Sequence, residues 1–284
     1  MFSLHLAVLI FGLAGIAGKL VSLSSPQVVF SRTVMGAAAL AIVWGLSSHR
    51  QRVDRRTFVL LLPSGVLLGV HWLTFFLSVK VSTVAVGLLS YATFPVFVAL
   101  LEPIASRTRA RSRDLVVAGV VCIGIALVVP NYSLGDRLVQ GVLWGLLSAG
   151  AFALVTIINK RVVGQTDPIV VGMLQNLWAA VFFVPWSEGS LSMSGKDLAL
   201  ITFLGVGCSA FGHTLFVAAL RSVRAELAAV TSGLEPLYGI VFAYLILGEY
   251  PSGRMVLGGA LIVGAVTWAS FLDSGSHANS RGVP

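Results

Sequence analysis

Ten stretches of nearly unbroken apolar residues divide the chain, at about 3–21, 27–47, 57–78, 82–103, 114–130, 138–158, 168–186, 197–219, 225–247 and 254–272. Each is close to the ~20 residues a helix needs to cross a hydrocarbon core. A membrane barrel would instead alternate apolar and polar positions over about ten residues, and "DLVVAGVVCIGIALVVP" does not alternate. The pattern predicts an all-α integral membrane protein with ten transmembrane helices. The connections are short, and "DSGSHANSRGVP" is small and polar, which predicts a disordered tail over 274–284.

Composition agrees. Hydrophobic residues make up 57% of the 284 and charged residues 11%, against about 25% charged in soluble domains. The net charge of +8 would suit nucleic acid, but its placement points elsewhere. One side of the predicted bundle carries Arg50, Arg52, Arg55, Arg56, Arg107, Arg109, Arg111, Arg113, Lys160, Arg161, Arg221, Arg224 and Arg281; the other carries Lys19, Lys80, Arg137, Lys196 and Arg254. This is the positive-inside bias, and it puts both termini in the cytoplasm with no nucleic-acid partner. The first span lacks a basic leader, and Lys19 follows its apolar run rather than preceding it, so it reads as a retained helix and not a signal peptide. Cys122 and Cys208 fall inside predicted spans, so no disulfide framework is expected.

A shift of about 141 residues superposes the two halves: "FLSVKVSTVAVGLLSYATFPVFVALLE" lies over "VAALRSVRAELAAVTSGLEPLYGIVFA", with Lys80 on Arg221, Pro95 on Pro236 and Lys19 on Lys160. Residues 1–130 then form a first five-helix repeat and 131–273 a second. Five spans is an odd number, so the second repeat enters the membrane from the opposite side. Inverted-topology repeats are typical of secondary transporters, whose site lies near the midplane between the halves.

The segment "AALRSVRAELAAVTSGLEPLYGIVFAYLILGEYPSG" resembles the EamA signature of the drug/metabolite transporter superfamily. It has Ala-Leu-Arg closing one helix, small residues opening the next, a mid-span proline and Leu-Gly-Glu. The first half shows a weaker copy, with Ser78-Val79-Lys80 and Phe94-Pro95 but no Leu-Gly-Glu. Within the family the chain is most similar to YddG-type amino-acid exporters. The resemblance implies a five-plus-five inverted-repeat fold, efflux of small metabolites and a place in the bacterial inner membrane.

Polar residues inside the spans are the candidate site. Glu235 lies about ten residues into the ninth span, roughly 15 Å deep, where an ionisable side chain costs at least about 2.5 kcal/mol on insertion scales. Pro236 frees the carbonyl of Ser232, and Thr231, Glu235 and Tyr238 share one helical face. Together they could hold an ammonium group; a structural hydrogen bond to a neighbouring helix is the other reading. Phe94 stands where the first half would have the equivalent of Glu235. Pro95 and Pro236 read as hinges or as static kinks.

His71 and His213 interrupt the third and eighth spans at nearly equivalent places, as ligand contacts or interhelical bonds. Gln175 and Asn176 in the seventh span can hold an amino or carboxylate group or glue helices. Trp72, Phe75, Tyr91 and Trp178 would wall an apolar or cationic ligand, or simply pack. Arg32, close to the outer surface, is expected to snorkel or contact a helix end, with an anion-attracting vestibule as the alternative. Glu102 is expected to pair beside the arginine-rich loop, and Glu249 to suit the dipole of the tenth helix. The fifth and tenth spans carry Gly and Ala without mid-span polar groups, which places them at the periphery, against lipid or a second protomer of a weak homodimer; a monomer is the other option.

No metal and no cofactor are expected, since no ligand-spaced cluster accompanies either histidine. No HExxH or Asp-rich pair supports an intramembrane enzyme, and no sensing domain supports a receptor. The leading reading is a secondary transporter exporting small metabolites, amino acids with apolar or aromatic side chains, by alternating access. Phosphorylated metabolites or nucleotide sugars are the alternative substrates.

Overall fold

Polar residues bounding the apolar runs start the helices. Asp54 accepts from Thr57 N at 3.0 Å, Thr83 Oγ1 from Val86 N at 3.1 Å, Asp167 from Ile169 N at 2.8 Å and Ser194 Oγ from Asp197 N at 3.1 Å. Each satisfies an amide that the first helical turn leaves without an intrahelical partner.

The computed structural model describes residues 2–48, 51–107, 112–128, 135–162, 164–188, 193–222 and 234–279. Among them lie helices α1 (Phe2–Leu20), α2 (Ser25–Leu46), α3 (Arg55–Val81), α4 (Val84–Tyr91), α5 (Phe94–Ser106), α6 (Ser112–Val128), α7 (Arg137–Val162) and α8 (Pro168–Phe183). They continue as α9 (Gly195–Thr202), α10 (His213–Ser222), α11 (Glu235–Leu247) and α12 (Gly253–Asn279). A 3-10 turn, Val184–Trp186, extends α8, and a π-helical segment, Phe203–Gly212, joins α9 to α10. The described residues contain no strand. Six segments are long and apolar enough to cross a membrane: Ser25–Leu46, Arg55–Val81, Val84–Ser106, Arg137–Val162, Pro168–Trp186 and Gly195–Ala219. Four shorter apolar helices, Leu4–Leu20, Val116–Val128, Glu235–Leu247 and Gly253–Trp268, fall at the other expected spans.

Three expectations change. The fourth span is not one helix: it stops at Tyr91 and restarts at Phe94, because Pro95 has no N–H and its ring would clash with the carbonyl four residues earlier, in Tyr91. Pro95 and Pro236 therefore both sit in the first turn of a helix rather than at a mid-helix kink. Residues 274–279, expected to be part of a disordered tail, continue α12, since extending a formed helix gains a hydrogen bond for each residue ordered. The glycines of α6 and α12 serve contact within the chain: a Cβ at Gly258 would lie 2.5 Å from Gly124 O, and one at Gly124 would lie 2.9 Å from Gly258 O. The two helices thus pack on each other, while Val116, Ile123, Val256 and Leu257 remain exposed on their outer faces.

The remaining helices form the body, with α3 against α7 and α8, α2 against α8, and α1 against α11. At one end two lysines cap each other's helix. Lys19 of α1 donates to Val79 O at 2.7 Å and Ser82 O at 2.5 Å, where α3 ends. Lys80 of α3 donates to Val21 O at 3.0 Å and to Leu23 O, where α1 ends.

Glu249 joins the same end. Gly248 takes φ +65°, with Gly248 N bonded to Tyr244 O and Glu249 N to Ala243 O, a glycine C-terminal cap that reverses the chain. The turn delivers the Glu249 carboxylate to Val84 N at 2.8 Å and to within 3.6 Å of Lys19 Nζ. It therefore caps α4, not the following helix as the sequence suggested. At the opposite end Lys160 pairs with Glu102, as expected.

Candidate functional site

Where α1–α4 meet α7, α10 and α11, the packing leaves a cavity of about 50 Å³ of space for water centres. That is several times the ~10–15 Å³ one water requires. Four of its lining residues are basic or acidic: Arg32, His71, His213 and Glu235. All four are buried, at 3%, 6%, 4% and 6% exposure.

Glu235 enters from the first turn of α11, where the positive end of the helix dipole favours a carboxylate. Its position depends on close approach of α1 to α11: a Cβ at Gly12 would lie 3.1 Å from Gly239 N and 3.4 Å from Glu235 O. The carboxylate makes no hydrogen bond or ion pair among the described residues. Thr231, Ser232 and the carbonyl that Pro236 was expected to free lie outside the described residues.

His71, on α3, is tethered through Nδ1 to Ser148 Oγ at 2.8 Å, and Ser148 Oγ also lies 3.1 Å from His71 O. This leaves Nε2 as its remaining polar atom. Rings surround it: its centroid is 4.8 Å from Phe152 and 5.1 Å from Tyr91. Tyr91, which lines the cavity, is backed by Phe94, stacked on it at 5.4 Å and 15° across the helix break before Pro95. Trp72 and Phe75 also line the cavity.

His213 reaches the cavity from α10, and its Nε2 bonds Gln175 Oε1 at 3.0 Å. Gln175 Nε2 donates onward to Asn159 Oδ1 at 2.7 Å and to Ser64 Oγ. Gln175, expected to touch substrate, therefore stands behind His213 and sets its orientation. Because the amide oxygen accepts, His213 Nε2 is the protonated nitrogen and Nδ1 is left for another partner.

The other expected site residues lie outside the cavity. Asn176 donates to Gly172 O at 2.8 Å and packs where a Cβ on Gly36 would come within 2.7 Å of its Oδ1, so it belongs to the α2–α8 contact. Trp178 Nε1 donates to Phe58 O at 3.0 Å, and its ring sits 4.6 Å from Phe58, which makes it a strut between α8 and α3. Tyr238 is half-buried against Gly12 of α1. In each case the helical face that decides the matter is set by neighbours in space.

Arg32 is the residue the sequence reading placed wrongly. Its guanidinium does not reach the surface; it lies over the face of Trp72 at 4.2 Å and donates through Nε to Ser209 Oγ at 2.9 Å. The signal was available: α2 starts at Ser25, so Arg32 is two turns in, about 10 Å deep. Phe152 and Phe11, which also line the cavity, carried no signal beyond their apolarity. No cluster of three or more His, Cys, Asp or Glu suited to a metal occurs among the described residues.

Two segments, residues 1–129 and 139–271, match the model of the EamA-like transporter family. The chain is similar to the uncharacterized transporter YxxF of Bacillus subtilis (strain 168), 22% identical over 90% of this chain and 85% of that one. It is also similar to the uncharacterized transporter YwfM of the same organism, 25% identical over 82% and 80%. A third relative is the pseudopaline exporter CntI of Pseudomonas aeruginosa (strain UCBPP-PA14), 25% identical over 85% of this chain and 84% of that one. A solved crystal structure aligns over 95% of this chain and 96% of its own with a TM-score of 0.67 at 18% identity, which is likeness of fold.

Proposed function

The chain belongs to the EamA-like transporter family, a multi-pass membrane transporter rather than an enzyme, and from that premise we propose that it exports small metabolites, amino acids with apolar or aromatic side chains, by alternating access. The carrying observation is Glu235: a buried carboxylate without a partner among the described residues, facing a cavity walled by aromatic rings. An unpaired buried charge is costly, and an arriving ammonium group would offset that cost. In this reading Glu235 holds the ammonium group, His71 and His213 offer polar contacts, and Trp72, Phe75 and Tyr91 accommodate the side chain. Pro95 and Pro236 mark where α5 and α11 pivot.

Many secondary transporters achieve alternating access with inverted repeats, and the reading takes ten spans as two inverted five-helix repeats, about 1–130 and 131–273, with both termini in the cytoplasm of a bacterial inner membrane. Helix boundaries support it. Phe94–Ser106 and Glu235–Leu247 are both 13 residues long and begin 141 residues apart. The left-handed residues that close this pair, Arg107 at φ 55° and Gly248 at φ 65°, keep the same offset. The family model also matches twice. The name of one relative, an exporter, agrees with the direction of transport.

The experiment is counterflow of a labelled amino-acid panel into proteoliposomes, wild type beside Glu235→Gln, with and without an imposed pH gradient. Exchange of one class of amino acid, lost in Glu235→Gln, is the expected result. Exchange of none would sink the substrate assignment; exchange indifferent to the substitution would leave Glu235 a helix contact.

A further inference from the structure

We propose that Arg32 is the second pole of the substrate site and binds a carboxylate, so that the transported molecule is recognised as a zwitterion spanning Arg32 and Glu235. The inference rests on reading the cavity as the substrate site and names the chemistry that site selects.

A guanidinium stays protonated throughout the accessible pH range, and burying one charge without a counter-charge is costly. Arg32 is 3% exposed and has no ion pair among the described residues. Its Nε is used by Ser209 and its faces by Trp72 at 4.2 Å and Phe76 at 5.4 Å. The two terminal amino groups have no hydrogen-bond partner among the described residues, although the residue lines the cavity. Those two groups form the fork that receives a carboxylate through paired hydrogen bonds.

The local backbone holds this fork still. Ser209 sits in the π-helical segment, and its hydroxyl donates to Leu204 O at 3.0 Å while accepting from Arg32. Four residues before Ser209, Gly205 lets the segment touch α2: a Cβ there would lie 2.8 Å from Arg32 O and 2.7 Å from Met35 Cβ. Wide turns of this kind recur at functional sites. Here the wide turn aims a serine at an arginine and leaves room for the helix that carries it.

Arg32 and Glu235 line one cavity without pairing to each other among the described residues. A purely anionic ligand would bring its charge against Glu235, and a purely cationic one against Arg32. Only a molecule with a carboxylate and an ammonium group meets both, and the rings of Trp72, Phe75 and Phe152 that line the same cavity favour an apolar side chain.

The test is competition for counterflow in proteoliposomes of the full chain. Labelled L-phenylalanine is challenged with L-phenylalanine, phenylethylamine and 3-phenylpropionate, which keep the ring and remove neither pole, the carboxylate or the amine; the same triplet is built on another panel member if wild type prefers it. Wild type is expected to favour the zwitterion over both analogues by about tenfold or more. In Arg32→Gln the zwitterion should fall about tenfold or more while phenylethylamine keeps or gains affinity. Ser209→Ala retains the arginine and removes its Nε partner, so it should weaken both carboxylate-bearing compounds and leave phenylethylamine unchanged, and it serves as the second variant if Arg32→Gln does not fold. An unchanged preference in either folded variant, or equal loss for all three compounds, overturns the proposal while exchange itself stands. Absence of exchange for every amino acid in wild type overturns the parent reading and this one together.

Discussion

Gln175→Leu should loosen the bundle without changing the composition of the cavity. Gln175 is completely buried and makes three side-chain hydrogen bonds, to His213 at 3.0 Å, to Asn159 at 2.7 Å and to Ser64. These join α8 to α10, α7 and α3. Interhelical hydrogen bonds in membranes average about 0.6 kcal/mol and reach about 1.7, so three of them amount to about 2–5 kcal/mol. Leucine is near glutamine in volume, which keeps cavity formation small and leaves the lost bonds as the main term. The assay is equilibrium unfolding in mixed micelles, run as a double-mutant cycle with Asn159→Leu. The single variant should lose about 2 kcal/mol or more, a factor of about 30 in the folded-to-unfolded ratio, and the pair should show a coupling of about 1 kcal/mol. Additivity within about 0.3 kcal/mol would refute the reasoning, because it would mean that the amide chain contributes no shared energy.

Three further outcomes follow from single contacts. In Lys19→Met the capping bonds to Val79 O and Ser82 O and the pairing with Glu249 are lost, so that end should open more often. With Cys122 replaced by Ser, labelling of the buried Cys208 in the cavity wall by an impermeant maleimide should rise severalfold, and unchanged labelling would assign closure to apolar packing. Gly258→Leu would put a Cβ 2.5 Å from Gly124 O; overpacking of this kind costs about 1–3 kcal/mol, visible as a lower melting temperature in detergent. Trp178→Phe removes the bond to Phe58 O and should lower stability by about 0.6–1.7 kcal/mol with unaltered half-saturation for transport; altered half-saturation would return Trp178 to the site.

What could be read along the chain was whatever depends on local pattern. Apolar runs of membrane length mark helices because the backbone must satisfy its own hydrogen bonds in lipid, and the caps at Asp54, Thr83, Asp167 and Ser194 use side chains within three residues of the amides they bind. Glu235, His71, His213 and the rings at 72, 75 and 91 were legible as candidates because polar or bulky groups at mid-span stand out against an apolar background. Their meeting in one cavity was decided only by packing.

Tertiary structure also separated residues that look alike in sequence. Gln175 and Asn176 are adjacent amides, yet one orients His213 and the other fills the contact near Gly36, since neighbours on a helix point about 100° apart. Glu249 caps a helix more than 160 residues away, a partner that no local rule could name. Arg32 shows the limit most plainly: depth was computable from its distance to Ser25, but whether a long cationic side chain bends toward water or toward the interior depends on what waits there. Trp72 offers a ring, brought by α3, and Ser209 an oxygen, brought by the second half of the chain, and neither contact exists until the helices are packed.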